Sequence, residues 1–378
     1  MRCKFCQKET ELISETLGVC RECILKGDWN EIKPHIMAVH EKIRELENLP
    51  KVSPRASKSK IVFECELCIN NCQLTNQDKS YCGLRNTPKD LKDNLPFPKK
   101  SEGYMHGYLD SNPTNCCNAW FCPAGTSRGF PKYSNTNGPE YGTYSYAAFL
   151  YGCSFDCLFC QNAQHKHFST YDIININEIA DQITDNKDIT CICFFGGTPE
   201  PQLPFTIHLS KRILKKIKEQ NERRFRICWE WNGSGKRELV EECMKLALRS
   251  GGNIKFDLKA FHERLNYALC GVSNERTLDN FKYLAENYFG TRGEEMPELS
   301  GCTLLVPGYT NAEEVENIAK FISLIDKNIP YSLLVFHPDY HMKDLPITPK
   351  KQAIQCLNIA KKFLNNVHLG NRFLLNLT

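Results

Sequence analysis

A chain of 378 residues, with 41% hydrophobic and 24% charged residues, has room for a packed core and the make-up of an ordinary globular protein. Its formal net charge of +4 is too mild to point to nucleic acid or a membrane surface, and no window approaches about eighteen consecutive apolar residues, so a spanning helix is excluded. The opening Met1-Arg-Cys-Lys-Phe-Cys6 has no apolar core of a signal peptide, and a cytoplasmic chain is expected, in which 21 cysteines point to metal ligation and not to disulfides.

The first cluster pairs Cys3-x2-Cys6 with Cys20-x2-Cys23. Two such knuckles across a short loop make a four-thiolate tetrahedral site of the zinc-ribbon kind, and zinc is expected there. Ile32, Ile36, Val39, Ile43 and Leu46 then recur at helical spacing with Lys33, Glu41 and Glu45 between them, which predicts an amphipathic helix packed on the body. Residues 51–60 are polar, contain Pro54, and read as a linker. Cys65, Cys68, Cys72 and Cys82 form a second four-coordinate set, for zinc or an auxiliary iron–sulfur cluster, since thiolates serve both. Cys116, Cys117 and Cys122 form a third group: ligands of an auxiliary cluster, ligands lent to another site, or plain buried thiols. Prolines and glycines between Pro113 and Pro139 predict mostly loop over 110–140, with the main domain beginning near Gly142. The expected division is 1–50 knuckle and helix, 51–61 linker, 62–141 cysteine-rich lead-in and 142–372 main domain.

From Tyr144 onward strands alternate with helices. Strands are predicted at 144–151, 190–195, 225–231, 253–258, 302–306 and 331–336, with a last short segment at 366–369. Such alternation implies parallel βα units, whose sites lie at the C-terminal ends of the strands. Polar residues collect at those ends. Cys153, Cys157 and Cys160 follow the first strand, and Gly196, Gly197 and Thr198 follow the second. Glu230 and Asn232 end the third, Lys255, Asp257 and Lys259 lie on or after the fourth, Val306 ends the fifth and His337 the sixth. Each alone is a routine strand-end residue; in series they mark a site. The C-x3-C-x2-C spacing can hold three irons of a cubane cluster, and no fourth cysteine follows until Cys191, which leaves one iron open to a small ligand.

The stretches GCSFDCLFCQN, FFGGTPEPQLP, CWEWNGSG, IKFDLKA and LLVPGYTN resemble the radical SAM superfamily and, more narrowly, proteins related to pyruvate formate-lyase activating enzymes. The lead-in CELCINNCQL and CGLR is similar to the same group, and the resemblance covers about residues 62–370. It implies an α/β fold, a partial parallel (βα)6 TIM-like barrel behind a cysteine-rich N-terminal region and a zinc-ribbon-like knuckle. It implies that Cys153, Cys157 and Cys160 bind a [4Fe-4S] cluster whose open iron is chelated by S-adenosylmethionine. Gly196, Gly197 and Thr198 would lie by the methionine amino group, Glu230 and Asn232 by the ribose, and Lys259 or Lys255, with Asp257 between them, by the carboxylate. Val306 and the backbone at Phe159 would border the adenine, with His337 on the same rim. Thr198 stands where many members have an acid. The implied reaction is reductive cleavage of S-adenosylmethionine to a 5′-deoxyadenosyl radical that takes hydrogen from an unactivated carbon, for activases a glycine of a partner enzyme. A low-potential donor of ferredoxin or flavodoxin type and an anaerobic setting go with it.

Two other readings stay open: the same radical chemistry on RNA or a small molecule, and a non-catalytic iron–sulfur or zinc protein for electron transfer or regulation. The glycine pair and the charged rim argue against the latter. Cys191, Cys193, Cys228, Cys243, Cys302 and Cys356 are expected to be small core residues. Cys270 is expected to pack as well, and Trp229 and Trp231, two apart on a strand, to share one face.

Overall fold

The computed structural model describes residues 1–85, 100–169, 172–220, 223–293 and 295–376; part of the lead-in, 86–99, lies outside them. Strands β1 (Phe63–Cys65) and β2 (Cys72–Leu74) form a small antiparallel hairpin. The main sheet joins β3 (Glu102–Ser111), β4 (Tyr144–Leu150), β5 (Ile173–Asn175), β6 (Ile189–Gly196), β7 (Arg226–Trp231), β8 (Ile254–Asp257), β9 (Leu299–Leu305), β10 (Tyr331–Val335) and β11 (Val367–Gly370). Their order is β11-β10-β9-β8-β7-β6-β4-β3-β5, with β4 and β6 to β11 all parallel. Sequential parallel neighbours make the open, partial barrel that the alternation predicts, with β11 extending the six expected units by one more strand.

The helices are α1 (Arg21–Lys26), α2 (Trp29–Leu46), α3 (Pro123–Thr126), α4 (Ile176–Asp185), α5 (Leu203–Gln220), α6 (Arg237–Ser250), α7 (Glu263–Cys270), α8 (Glu275–Tyr288), α9 (Ala312–Ser323) and α10 (Lys350–Ala360). No helix among the described residues is long and apolar enough to cross a membrane. Strand parity decides what each face holds. Ile192, Phe194, Ile227, Trp229, Trp231, Ile254 and Phe256 point outward into the helix layer and are wholly buried. Phe194 and Trp229 stack there with centroids 5.5 Å apart, and each such side chain contributes about 1.5–3 kcal/mol by leaving water. The alternate residues, Cys193, Cys228, Glu230, Lys255, Asp257 and Cys302, face the lumen.

Several short elements escape the sequence patterns, and two elements that shape the site, β3 and α7, are among those missed. Strand β3 pairs with β4 over Met105–Ser111, so the residues before Gly142 enter the main sheet directly. Its interior glycine masks it. A Cβ on Gly107 would come within 2.1 Å of the Tyr146 hydroxyl on the facing strand, so the ring of Tyr146 occupies the space where a side chain would signal β structure. The other is α7, a short helix stopped by Gly271 in the left-handed region at φ 69°. The residues read as a linker are also tied down: Gln73 N donates to Pro54 O at 3.0 Å and Ala56 N to Gln73 O at 3.2 Å.

The N-terminal region caps the C-terminal rim. Helix α2 buries Ile32, Ile36 and Ile43, as its spacing predicts, but also His40 and Arg44. A second apolar core joins Ile13, Leu17, Val19 and Ile24 of the knuckle region to Phe155, Leu158 and Phe159, to Leu265 and Leu269 of α7, and to Tyr309 and Phe336 of the rim. The knuckle is seated by Tyr309, whose hydroxyl accepts from Ser14 N at 3.1 Å and donates to Val19 O at 2.9 Å. Arg21 adds a bond to Glu313 at 2.9 Å.

Candidate active site

A cavity of about 260 Å³ opens at the C-terminal ends of the parallel strands. Cys153, Cys157, Phe159, Cys160, Gly196, Gly197, Glu230, Asn232, Lys255, Asp257 and Lys259 all line it. Eleven residues expected from sequence therefore meet in one place.

The cysteine loop follows β4 and is held from several sides. Asp156 N and Leu158 N donate to Cys270 O and Leu269 O, each at 2.9 Å, which stitches the loop to the end of α7. Ser154 Oγ accepts from Asn232 Nδ2 at 2.8 Å, and Asn70 Nδ2 donates to Ser154 O at 2.7 Å. Asp156 is buried between two of the cysteines and receives His40 Nδ1 at 2.9 Å and Lys166 Nζ at 2.7 Å, with Arg44 Nη1 at 3.5 Å. Burial works to raise its pKa, but His40, Lys166 and Arg44 hold the carboxyl well below the usual range.

The glycine pair permits a close approach. Gly196 lies at φ 111°, and a Cβ on Gly197 would fall 2.2 Å from Gly152 O, so only glycines let the β6 turn lie against the start of the cysteine loop. Asn162 Nδ2 then donates to Gly196 O at 3.2 Å. Opposite them runs a rail of alternating charge. Lys255 Nζ bridges Glu230 Oε2 at 2.9 Å and Asp257 Oδ1 at 3.0 Å, and Lys259 Nζ meets Asp257 Oδ2 at 2.8 Å. Burial pushes Asp257 up, but Lys255 and Lys259 outweigh it and bring its pKa down to about 2. Both lysines are held above their usual value against burial, chiefly by Asp257. The wall thus presents fixed ammonium and carboxylate groups at neutral pH. His165, buried at the cavity edge, is pushed down to about 3 and stays neutral there.

Three expected residues are placed elsewhere. Thr198 is buried behind the wall, bonded to Glu200 and accepting Asn232 N at 3.3 Å. Val306 lies in the rim core, where its carbonyl accepts Thr310 N at 2.9 Å. His337 is half-buried outside the cavity lining, its Nδ1 near its own neighbour's carbonyl, Pro338 O, at 3.4 Å. Four residues of note were given no role by the sequence patterns. Glu200 is wholly buried, accepts Gly233 N at 2.6 Å and Ser234 N at 3.1 Å, and so ties the loop after β6 to the loop after β7. Cys302 lines the cavity and Cys193 Sγ approaches Glu230 Oε1 at 3.6 Å, so neither is a plain core residue; their alternation with Ile192, Phe194 and Thr303 was the available signal. Cys270, whose carbonyl accepts Asp156 N at 2.9 Å, touches the loop as well as packing. Trp229 and Trp231 share the helix-facing side, with Trp231 reaching the cavity edge.

The other cysteine groups differ in kind. Cys3 and Cys23 sulfurs lie 3.7 Å apart and Cys6 and Cys20 sulfurs 3.6 Å, the spacing of thiolates about one tetrahedral ion with bonds of about 2.3 Å. Cys65, Cys68, Cys72 and Cys82 are all buried around the β1–β2 hairpin, with Cys65 opposite Cys72, Tyr81 N on Cys72 Sγ at 3.4 Å and Asn70 Nδ2 on Cys68 Sγ at 3.7 Å. Cys116 and Cys117 enter the barrel lumen, whereas Cys122 turns away to accept Gly125 N at 3.3 Å as the N-cap of α3.

Comparison with known proteins agrees with this architecture. Residues 148–322 match the radical SAM superfamily. Two proteins of Methanocaldococcus jannaschii, each named "Putative glycyl-radical enzyme activating enzyme", are 26% identical over 219 residues and 25% identical over 228 residues. These matches span 57% and 58% of this chain and 77% and 85% of those proteins. The isethionate sulfite-lyase activating enzyme of Desulfovibrio desulfuricans is 29% identical over 143 residues, 38% of this chain and 40% of that enzyme. Residues 148–322, which hold most of the barrel, therefore form a radical SAM oxidoreductase domain.

Proposed function

We propose that the cysteine loop holds a [4Fe-4S] cluster with S-adenosylmethionine on its open iron, and that the enzyme is an activase whose target is a glycine of a partner protein. One observation carries the reading: Cys153, Cys157 and Cys160 share a single cavity with the glycine pair and the Asp257–Lys259 rail. The donor set fits. Among the described residues, the three sulfurs do not close to within 4.8 Å of one another as the knuckle sulfurs do, which suits a cubane in place of a lone ion. His165 Nδ1 is buried without a partner in a residue that lines the same cavity, a polar atom a ligand can satisfy. Bound there, the reduced cluster and S-adenosylmethionine supply a 5′-deoxyadenosyl radical able to take hydrogen from an unactivated carbon.

The chain's own residues bind and orient. Lys259 offers its ammonium to a carboxylate and Asp257 its carboxylate to an amino group, so an amino-acid headgroup meets complementary charges. The backbone of Gly196 and Gly197 borders the same space. Phe155, Phe159 and Phe195 supply apolar walls that keep water from the reacting atoms. The names of the relatives favour a glycyl-radical partner over RNA or a small molecule. A low-potential ferredoxin or flavodoxin is the proposed electron donor.

The test is anaerobic. Protein reconstituted with iron and sulfide is given dithionite and S-adenosylmethionine, and 5′-deoxyadenosine is measured. Product is expected from the native chain and none from Cys157→Ala with its N-terminal metal retained. No product from fully loaded protein, under conditions where a known radical enzyme works, would overturn the reading.

A further inference from the structure

The segment following β3 turns back into the barrel lumen and is pinned there by polar contacts. Asn118, almost wholly buried, donates to Asn253 Oδ1 at 2.9 Å and accepts Ser300 Oγ at 2.8 Å. Trp120 donates to Ser332 Oγ at 3.2 Å and stacks on His368 at 5.5 Å between centroids. Ser332 Oγ in turn donates to Cys117 O at 3.0 Å. These contacts, to β9, β10, β11 and the residue preceding β8, leave Cys116 and Cys117 little freedom.

The two sulfurs are thereby delivered to a ready set of donors. Cys116 Sγ donates to Glu230 Oε1 at 2.8 Å, and the Cys117 thiol lies beside Cys116 on one side and Cys302 on the other. Donor atoms of Cys116, Cys117 and Glu230 all lie within 4.8 Å of one another. Sulfurs about a tetrahedral zinc-like ion with bonds of about 2.3 Å stand about 3.8 Å apart, so this set is already near coordination distance. Charge agrees as well. Three thiolates and a carboxylate around a divalent ion leave two net negative charges, and Lys255, 2.9 Å from the other oxygen of Glu230, offsets one of them without occupying the oxygen that faces the sulfurs.

We propose that Cys116, Cys117 and Glu230, with Cys302 drawn in from beside Cys117 as the fourth ligand, form a second metal site in the barrel lumen, for a borderline-soft divalent cation such as zinc. Its metal is held by residues outside the cysteine loop, so its occupancy does not depend on a cluster there. Thiolates select such a cation over magnesium or calcium, and Glu230 is its one oxygen ligand. Cys302 and Glu230 both line the active-site cavity, so the ion would stand at the cavity floor. Glu230 is then the ligand that an oxygen or sulfur of the substrate can displace, as in metal sites that keep one exchangeable position. The set departs from the sequence grouping in one decisive respect: Cys122 is not in it, and Cys302, read as core, is.

The experiment counts thiolate-bound metal on the full chain. Protein stripped of metal under anaerobic conditions is titrated with Co2+, and the thiolate-to-cobalt charge-transfer absorbance is followed alongside metal content. The native chain should bind one more thiolate-bound ion than the Cys116→Ser/Cys117→Ser variant. Cys302→Ser and Glu230→Gln should each weaken that ion about tenfold or more. Cys122→Ser should bind it as the native chain does. The ion should also persist in the Cys153→Ala/Cys157→Ala/Cys160→Ala variant, which separates this site from the cluster reading. Should the double variant fail to fold, Cys302→Ser and Glu230→Gln read the same site with smaller changes. Equal metal and equal absorbance in the native chain and in these lumen variants, or loss of the ion in Cys122→Ser, would overturn the proposal.

Discussion

His40, on a helix outside the barrel, places its Nδ1 2.9 Å from the Asp156 carboxylate, inside the loop that carries the three cysteines. That bond makes α2 part of the machinery that shapes the loop. Asp156 also meets Lys166 and Arg44 with no water access, so it is the common partner of two buried cations. Asp156→Ala should therefore cost about 3–5 kcal/mol, because Lys166 and Arg44 are left without their counter-charge. His40→Ala should cost less, since it removes two hydrogen bonds, to Asp156 and to Ala268 O, and strands no cation. Anaerobic denaturant midpoints of the two variants would rank them, and iron retained after desalting should fall in the same order.

A second buried pair holds the other end of the barrel. Arg226 Nη2 meets Glu140 Oε2 at 2.6 Å and Nη1 meets Oε1 at 2.8 Å, with both side chains almost wholly buried. Glu140 precedes β4 and Arg226 opens β7, so the pair fastens the lumen segment to the strands. Glu140→Ala should lower stability by about 3–5 kcal/mol, and Glu140→Ala combined with Arg226→Met by less than the single change. A double-mutant cycle by urea unfolding checks it.

The knuckle offers a separation of metal from docking. Cys6→Ser should lose one equivalent of metal per chain and loosen the region, because a four-thiolate site of this size is part of the local fold. Tyr309→Phe should keep the metal yet cost about 1–3 kcal/mol, since Ser14 N and Val19 O lose a buried partner. Metal analysis with thermal unfolding of both variants distinguishes the two effects.

Glu200 gives a pH signature. Burial pushes its pKa up to about 7, against the bonds from Thr198, Gly233 and Ser234. A carboxyl with a raised folded pKa binds its proton more tightly folded than unfolded, so stability falls as pH rises from about 4.5 through 7. Glu200→Gln keeps an oxygen for Gly233 N and Ser234 N and cannot ionise. It should flatten that slope, with its largest gain relative to native above pH 7, while Glu200→Ala should destabilise at every pH. Thermal midpoints between pH 5 and 8 would show both.

Most of the parallel strands and their helices were legible because their apolar residues repeat with the period of each element. Strand β3 was not, since Gly107 yields its space to Tyr146 on the next strand. At the site, Cys153, Gly196, Glu230 and Lys259 were legible as strand-end residues, for βα topology brings such ends to one rim. Val306 and Thr198 occupy equivalent chain positions and still miss the cavity, because the turn after each strand, and not its place in sequence, decides where a side chain lies.

The sequence by itself determined the features that depend on short chain spacing. Eight residues hold Cys153, Cys157 and Cys160 together whatever else the chain does, and the paired knuckles need only a short loop to close. Only the tertiary structure decided which distant groups meet: His40 with Asp156, Cys116 with Glu230, and Cys117 with Cys302. Those meetings follow from strand register, from the docking of α2 on the rim and from the path of the segment after β3 through the lumen. Each is set by packing across more than a hundred residues of chain, a separation over which the spacing of residue types carries no geometric information.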